Sequence, residues 1–437
     1  MSESSNRGMA DVIVTKFNII SSSGKQLKEI APSDAWNYIT LSESMGLLKG
    51  DTQFVSGEAT IIDGINILNE MNFVGDEMVE LSFQTPQKKE IDFVGRVYNL
   101  DIKQPNNDDR VLNLKFCSTE KITSDQLKIS RAYRMVPYSD MATDLFAPMN
   151  MIDGKKLYAE PTKNVGSFIV NNKSPIDAIN ILAKTSRSSK YMGANYVFFE
   201  QLDKTFQFVS IESLIDPTTV DPVVKYIKEP STGKKNDLRK LVGIKSFKVI
   251  SLPNTVRAIQ AGMYGSTIVS NDLMKRKVTY NTFDYDKSYN QYKSVNYNAM
   301  SSGHGKTTLI NNKNYSERSS SMVKFLPKHF GSFDTDTNHS DERQDTELVR
   351  TSQMHQINAI RLQLIVSGDS QRRVGEIVEV ILPPPSTTKN DGDRDALLSG
   401  RYLISKIKHL LSSDNAGYNT MLLLVKDSYS TPLPKKV

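Results

Sequence analysis

Glu77-Met78-Val79-Glu80-Leu81 is followed, after a polar turn, by Gly95-Arg96-Val97 and a strand pair ending at Phe116-Cys117. The same order returns near the other end of the chain. There Glu376-Ile377-Val378-Glu379-Val380 precedes Gly400-Arg401-Tyr402 and a strand pair ending at Leu424-Val425. Strand, turn, strand opening on Gly-Arg, hairpin and final strand recur in sequence and in spacing. The two copies lie far beyond the roughly 20–50-residue period of stacked repeats, so they do not describe a solenoid. They imply two similar domains in one polypeptide. Three such chains would present six similar units and could dock on a six-fold partner.

Working outward from this pair, 437 residues are too many for one core and imply several domains. A hydrophobic content of 38% and a charged content of 24% are globular values. The mean hydropathy is −0.40, and no apolar run approaches the roughly 18–20 residues of a membrane helix, so no membrane insertion is expected. Met1 to Ala10 lacks the apolar stretch of a signal peptide, and the cytoplasm of the producing cell is the expected site of assembly. The single cysteine, Cys117, excludes an intrachain disulfide and reads as a small core residue of a strand. Net charge is +6, and the basic excess is concentrated between Lys225 and Lys248 around Pro230-Ser231-Thr232-Gly233. Without interleaved aromatics or a helical face this is a solvated linker, and no sequence-specific nucleic acid partner is expected.

The expected fold class is α+β, mainly β: two similar small antiparallel β-barrels of tube type and an α+β middle domain. Residues 1–9 read as a disordered tail and 10–119 as the first barrel. In this barrel Asp63 to Met71 reads as a short helix and Pro105 to Asp109 as a hairpin turn. Residues 120–225 form the middle domain, with helices expected over Ser124–Met135 and Ser139–Phe146, and another beginning at Ser174-Pro175. A hairpin over Tyr196–Glu200 and Phe206–Ile211 completes it. Residues 226–243 are the basic linker. The second barrel takes 244–284 and 346–430, with Ile360, Leu362, Leu364 and Val366 alternating as a half-buried strand. Between them, 285–345 is a long polar excursion rich in Asn, Ser, Lys and Tyr, which is expected to order only against a neighbour. Residues 431–437 are a tail.

No catalytic residue, cofactor site or metal site is expected. Gly303-His304-Gly305-Lys306-Thr307-Thr308 ends like a phosphate-binding loop, but Met300 stands where its first glycine belongs and no strand–loop–helix frame surrounds it. His304, His329, His339, His355 and His409 have no second His or Cys at metal-ligand spacing. Glu77/Glu80 and Glu376/Glu379 are not acid–base pairs, because residues three apart on a strand face opposite sides. Gly95 and Gly400 are read as structural turn glycines, each opening a strand where a left-handed or closely approached backbone favours glycine.

The chain resembles the baseplate hub proteins of T4-like contractile-tailed phages, a family related to the hub region of type VI secretion spike proteins. The resemblance rests on Ile91-Asp92-Phe93-Val94-Gly95-Arg96-Val97-Tyr98 through Leu114-Lys115-Phe116-Cys117-Ser118-Thr119-Glu120. It rests more specifically on Ser367-Gly368-Asp369, Val374-Gly375-Glu376-Ile377-Val378, Leu398 to Ile404, His409 and Lys426-Asp427-Ser428. It implies a homotrimer whose six tube domains form a pseudo-six-fold ring. One face would meet the hexameric tail tube protein, and the other a separate trimeric cell-puncturing spike protein, with other baseplate proteins around it. The implied location is the baseplate of a virion tail, assembled in the host cytoplasm, and the implied role is structural, not enzymatic. The alternatives are the hub of a related contractile injection system, or a receptor- or carbohydrate-binding tail protein using Tyr280, Phe283, Tyr285, Tyr289, Tyr292 and Tyr297 as an aromatic groove. A tail-borne peptidoglycan hydrolase would need an acid–base carboxylate pair in a cleft, which no residue pattern singles out.

Overall fold

A computed structural model describes residues 12–21, 36–48, 50–63, 73–84, 90–103, 110–150, 154–228, 242–272, 276–296, 298–299, 322–328, 339–384, 394–413 and 417–430. The chain begins with six strands: β1 (Ile13–Ile20), β2 (Trp36–Ser44), β3 (Ser56–Asp63), β4 (Met78–Gln84), β5 (Glu90–Lys103) and β6 (Arg110–Ser118). The middle region follows as α1 (Thr119–Gln126), β7 (Ile129–Pro137), α2 (Tyr138–Phe146), β8 (Lys156–Ala159), β9 (Val165–Lys173), α3 (Pro175–Thr185), β10 (Tyr196–Gln201), β11 (Thr205–Ser210) and α4 (Ile211–Ile215). Then come β12 (Val224–Ile227), β13 (Ile244–Ser251), α5 (Thr255–Gln260), β14 (Gly265–Asp272), β15 (Lys277–Asp284), α6 (Tyr285–Ser288), β16 (Asn298–Ala299) and β17 (Val323–Lys328). The chain closes with α7 (His339–Ile357), β18 (Ile360–Ser367), β19 (Ile377–Ile381), β20 (Gly400–Ser412), β21 (Tyr418–Lys426) and β22 (Ser428–Tyr429).

The fold is mainly β with a smaller helical part, the expected class. Its largest element is one 12-stranded sheet, in which β1-β4-β5-β6-β3-β2 runs on through β20-β21-β18-β13, with β19 on β20 and β12 on β19. Taken from β12, the second half reads β12-β19-β20-β21-β18-β13. This is the order of the first half with each strand replaced by its counterpart in chain order. The correspondence extends to irregularities. A bulge falls between Val97 and Asn99 in β5 and between Ile404 and Lys406 in β20. Another falls between Trp36 and Tyr38 in β2 and between Ile244 and Ser246 in β13. The halves differ in that β1 is antiparallel to β4, whereas β12 is parallel to β19, and in that β13 carries a second bulge, between Val249 and Ser251, that β2 lacks.

Period-two patterning makes these strands. In β4, Val79, Leu81 and Phe83 are buried, and in β18 so are Ile360, Leu362, Leu364 and Val366, as expected for sheets with one face on a core. Each half has its own core: Phe17, Leu81, Phe83, Leu114 and Phe116 lie in one, and Leu362, Leu364, Tyr402, Ile404 and Leu424 in the other. A third core, around Tyr138, Phe146, Tyr196, Phe198 and Phe206, belongs to the middle region.

Several expectations are corrected. Ser124–Met135 is not one helix: α1 ends at Gln126 and Ile129–Pro137 is strand β7, paired with β9 through Ala132–Ile169 and Tyr133–Phe168. Aromatic and β-branched partners across the ladder outweigh a weak local helix preference. Residues 265–284 do not continue the second barrel sheet; β14 and β15 form a separate three-stranded sheet with β17. The polar excursion orders against its own chain wherever it is described: β16 pairs β22, and Val295 N–H donates to Asp427 at 2.9 Å. The helix expected over Asp63–Met71 lies outside the described residues except Asp63, which ends β3, and the turn at 105–109 lies outside them entirely. The other expected helices are present, with Ser174 Oγ accepting from Asp177 N–H at 3.2 Å at the start of α3.

Candidate assembly interface

The two halves meet where β2 hydrogen-bonds β20 antiparallel, from Tyr38 opposite Ser412 to Ser44 opposite Lys406. The strand β20 can serve two partners on one edge because it is long. Its first residues pair with β19, and the remainder, past the bulge, is left for β2. Met45 N–H extends the seam to the Ser405 carbonyl at 3.0 Å, and Lys406 reaches Asp51 at 2.7 Å. The inward residues of the seam, Ile39, Leu41, Ile407 and His409, are fully buried. Burial, with Arg373 nearby, lowers the His409 imidazole to about 3, so it is neutral and hydrogen-bonds the Tyr418 hydroxyl at 2.8 Å.

Glu43 is also sealed in this seam. One oxygen accepts from Leu202 N–H at 3.0 Å, while Oε1 has no partner among the described residues. Burial pushes its carboxyl up to about 8, although Arg373 pulls the other way. Between the ordinary glutamate range and about pH 8 the folded chain therefore binds more proton than the unfolded one. Its stability falls as pH rises, by about 1.4 kcal/mol per pH unit, and levels off above. Glu43→Gln, which mimics the protonated acid, is expected to flatten that slope in denaturant titrations across this window.

The middle region is locked to the first half by a buried charge cluster. Lys155 Nζ lies 2.6 Å from Glu120 Oε2 and 2.6 Å from Glu200 Oε1. The other Glu200 oxygen accepts from Val55 N–H at 2.9 Å and from the Ser118 hydroxyl. Thus the starts of β3 and α1, the end of β6 and strand β10 converge on one ammonium. Burial opposes charge on Lys155, but the Glu200 and Glu120 carboxylates more than offset it and hold its pKa above the usual lysine value. Burial pushes Glu120 up to about 7 against the pull of Lys155, with the Glu200 charge adding to the rise. Arg350 of α7 ties that helix to the same region, donating to the carbonyls of Ala183, Ala194 and Tyr196 at 3.1, 3.3 and 2.8 Å. The sequence assigns none of these residues a role, although Ser118 and Glu120 lie in the stretch that carries the resemblance; the available signal is a charge closing an apolar run, as Glu200 closes Tyr196-Val197-Phe198-Phe199.

The glycines and carboxylates read from the repeat fall as follows. Gly400, at φ +129°, does open β20, and a Cβ there would meet the Ser430 Cβ at 2.9 Å. Gly95 does not open a strand. It lies inside β5, opposite Val79 and Ser118, where a Cβ would come within 2.5 Å of the Cys117 carbonyl and the Phe93 ring. The two are not equivalent in register: the Val97 amide donates to the Glu77 carbonyl at 2.9 Å, and the matching bond joins Ile404 to Glu376, also at 2.9 Å. Gly95 is thus two residues from its reference and Gly400 four. The glutamates that aligned the copies close turns. Glu77 accepts from Val74 and Gly75 N–H at 2.5 and 3.1 Å, and Glu376 from Arg373 N–H at 3.2 Å. Glu80 pairs with Lys16 and Glu379 with Arg394. Cys117 is buried, and burial pushes its thiol up to about 11.

Tyr285 and Tyr289 are buried, and Tyr285 stacks on Tyr292 with centroids 5.9 Å apart, so these three pack together rather than line a groove. Tyr280 is 73% exposed and Phe325 79%, side by side across β14 on the open face of the small sheet. Tyr297 and the Gly303–Thr308 loop lie outside the described residues, as does His329; His355 is on α7. No group of three or more His, Cys, Asp or Glu among the described residues is placed to hold a metal. A depression of about 650 Å³ is lined by Lys324, Arg343, Glu347, Arg350 and His355, but Lys324 is already paired with Glu347 at 3.0 Å.

No family model matches the sequence, and a search of the curated proteins finds no sequence match. Solved structures do match the fold. The tail protein from Neisseria meningitidis MC58 superposes with a TM-score of 0.53 at 12% identity, over 94% of this chain and 96% of that one. The 43 kDa tail protein of prophage MuSo2 from Shewanella oneidensis gives a TM-score of 0.53 at 10% identity, over 95% and 99%. The fold is the one that the resemblance implied, and this chain shares it with those two tail proteins.

Proposed function

We propose that this chain is the structural hub of a contractile phage tail. Three copies set six sheet units in a pseudo-six-fold ring between a hexameric tail tube and a separate trimeric cell-puncturing spike. The observation that carries this reading is the duplicated unit. Two halves with the same strand order and two bulges in common are joined edge to edge, and the outer edges of the pair are the counterparts of the edges already joined. A chain that joins its own halves this way supplies one third of a six-fold object. Three-fold and six-fold partners can then each find matching contacts on it. The likeness in fold to two proteins named as tail proteins points the same way. The role is mechanical, and the working location is the baseplate of the virion tail.

Light scattering on the purified chain, with class averages of the particle, tests this. The expected mass is three times the 49.1 kDa chain, with averages showing a ring of six similar lobes. A chain that stays monomeric at every concentration, or forms even-numbered assemblies, overturns the proposal.

A further inference from the structure

The seam between the halves has two counterparts that carry no strand among the described residues. Among the described residues, β13 pairs only with β18 and ends the sheet, although its counterpart β2 pairs on both sides. Likewise β4 covers β5 only from Glu90 to Arg96, so Asn99–Lys103 has one edge without a strand among the described residues. The counterpart stretch of β20 is where β2 binds. Unpaired N–H and C=O groups along such edges are pairing surfaces.

The side chains fit the same account. Matching the bulges makes Tyr38 equivalent to Ser246 and Val97 equivalent to Ile404. The buried seam residues Ile39 and Leu41 then correspond to Phe247 and Val249, and Ile407 and His409 to Leu100 and Ile102. Phe247 is 41% exposed and Ile102 54%, apolar at positions that the internal seam buries completely.

We infer that β13 of one chain pairs antiparallel with the Asn99–Lys103 edge of β5 in a second copy, in the register of the β2–β20 seam. Thr40 opposite Leu410 becomes Lys248 opposite Lys103, and Leu41 opposite His409 becomes Val249 opposite Ile102; past Val249 a second bulge in β13, which β2 lacks, makes Ser251 the counterpart of Ser42, opposite Asp101. One like-charge pair results, Lys248 with Lys103, both exposed and screened by water. Pro253, which lacks an amide hydrogen, falls where Ser44 pairs with Lys406 in the internal seam and ends the ladder. This inference rests on the ring proposed above and adds the strands and register that close it.

Disulfide trapping tests it. Lys103→Cys with Lys248→Cys places two thiols opposite each other on the exposed face of the seam, and native Cys117 is buried. Directly opposed residues of an antiparallel pair have Cα atoms about 4.5–5.5 Å apart, within disulfide reach, and a two-residue shift adds roughly 6.8 Å of strand. Mild oxidation is expected to give reducible covalent trimers, with the shifted pair Asp101→Cys/Lys248→Cys trapped about tenfold less. Three-chain particles that fail to cross-link through the first pair, or cross-link equally through the shifted pair, overturn the register and leave the ring standing. A monomer without cross-links overturns both.

Discussion

Lys155→Met is expected to cost the folded chain about 3–5 kcal/mol, because it strands two buried carboxylates that share one ammonium. Lys155, Glu120 and Glu200 are all nearly closed to solvent, and among the described residues no other cation is hydrogen-bonded to the two carboxylates. Methionine fills the space of the lysine stem, so the loss is electrostatic more than steric. Chemical denaturation followed by tryptophan fluorescence, from Trp36, reads the half that the cluster anchors. The triple variant Lys155→Met, Glu120→Gln, Glu200→Gln is expected to recover much of the loss, since neutral neighbours need no counter-charge. A single variant within about 0.5 kcal/mol of the native chain would mean that the cluster is solvated and does not hold the regions together.

Ile102→Lys is expected to leave the chain folded and to break the assembly. The side chain is on the surface of the single chain, so the unfolding free energy should move by no more than about 0.5 kcal/mol. In the inferred ring it lies against Val249, where a lysine would have to bury its ammonium in an apolar seam at a cost of several kcal/mol at each of the equivalent contacts. The mass by light scattering should fall from three chains to one, while Ile102→Val keeps the assembly. A trimer that persists in Ile102→Lys would show that chains meet elsewhere. The exposed Tyr280 and Phe325 face would then be the next surface to test.

The correction at Gly95 shows how the repeat could be right while its alignment was wrong. Gly-Arg occurs in both halves, but one glycine is in mid-strand under Cys117 and the other opens a strand beside Ser430. Hydrogen bonds from Val97 and Ile404 set the true register, in which the two glycines are not equivalent. The Ser124–Met135 expectation failed for a related reason, since β7 is a strand only because β9 is there to pair with it.

By itself the sequence determined strands such as β4 and β18, because their alternation is a local property with period two. It also determined that there are two related units, because similar strands must recur in similar order to build them, and from these the mainly-β class followed. Only the tertiary structure decided how the units are joined and what seals them. The β2–β20 seam, the matched bulges and the Lys155 cluster each bring together residues far apart in the chain. No local pattern records such pairings: the free energy of a cross-strand contact or a buried ion pair depends on the partner that folding delivers, and a period of two is satisfied by many registers alike.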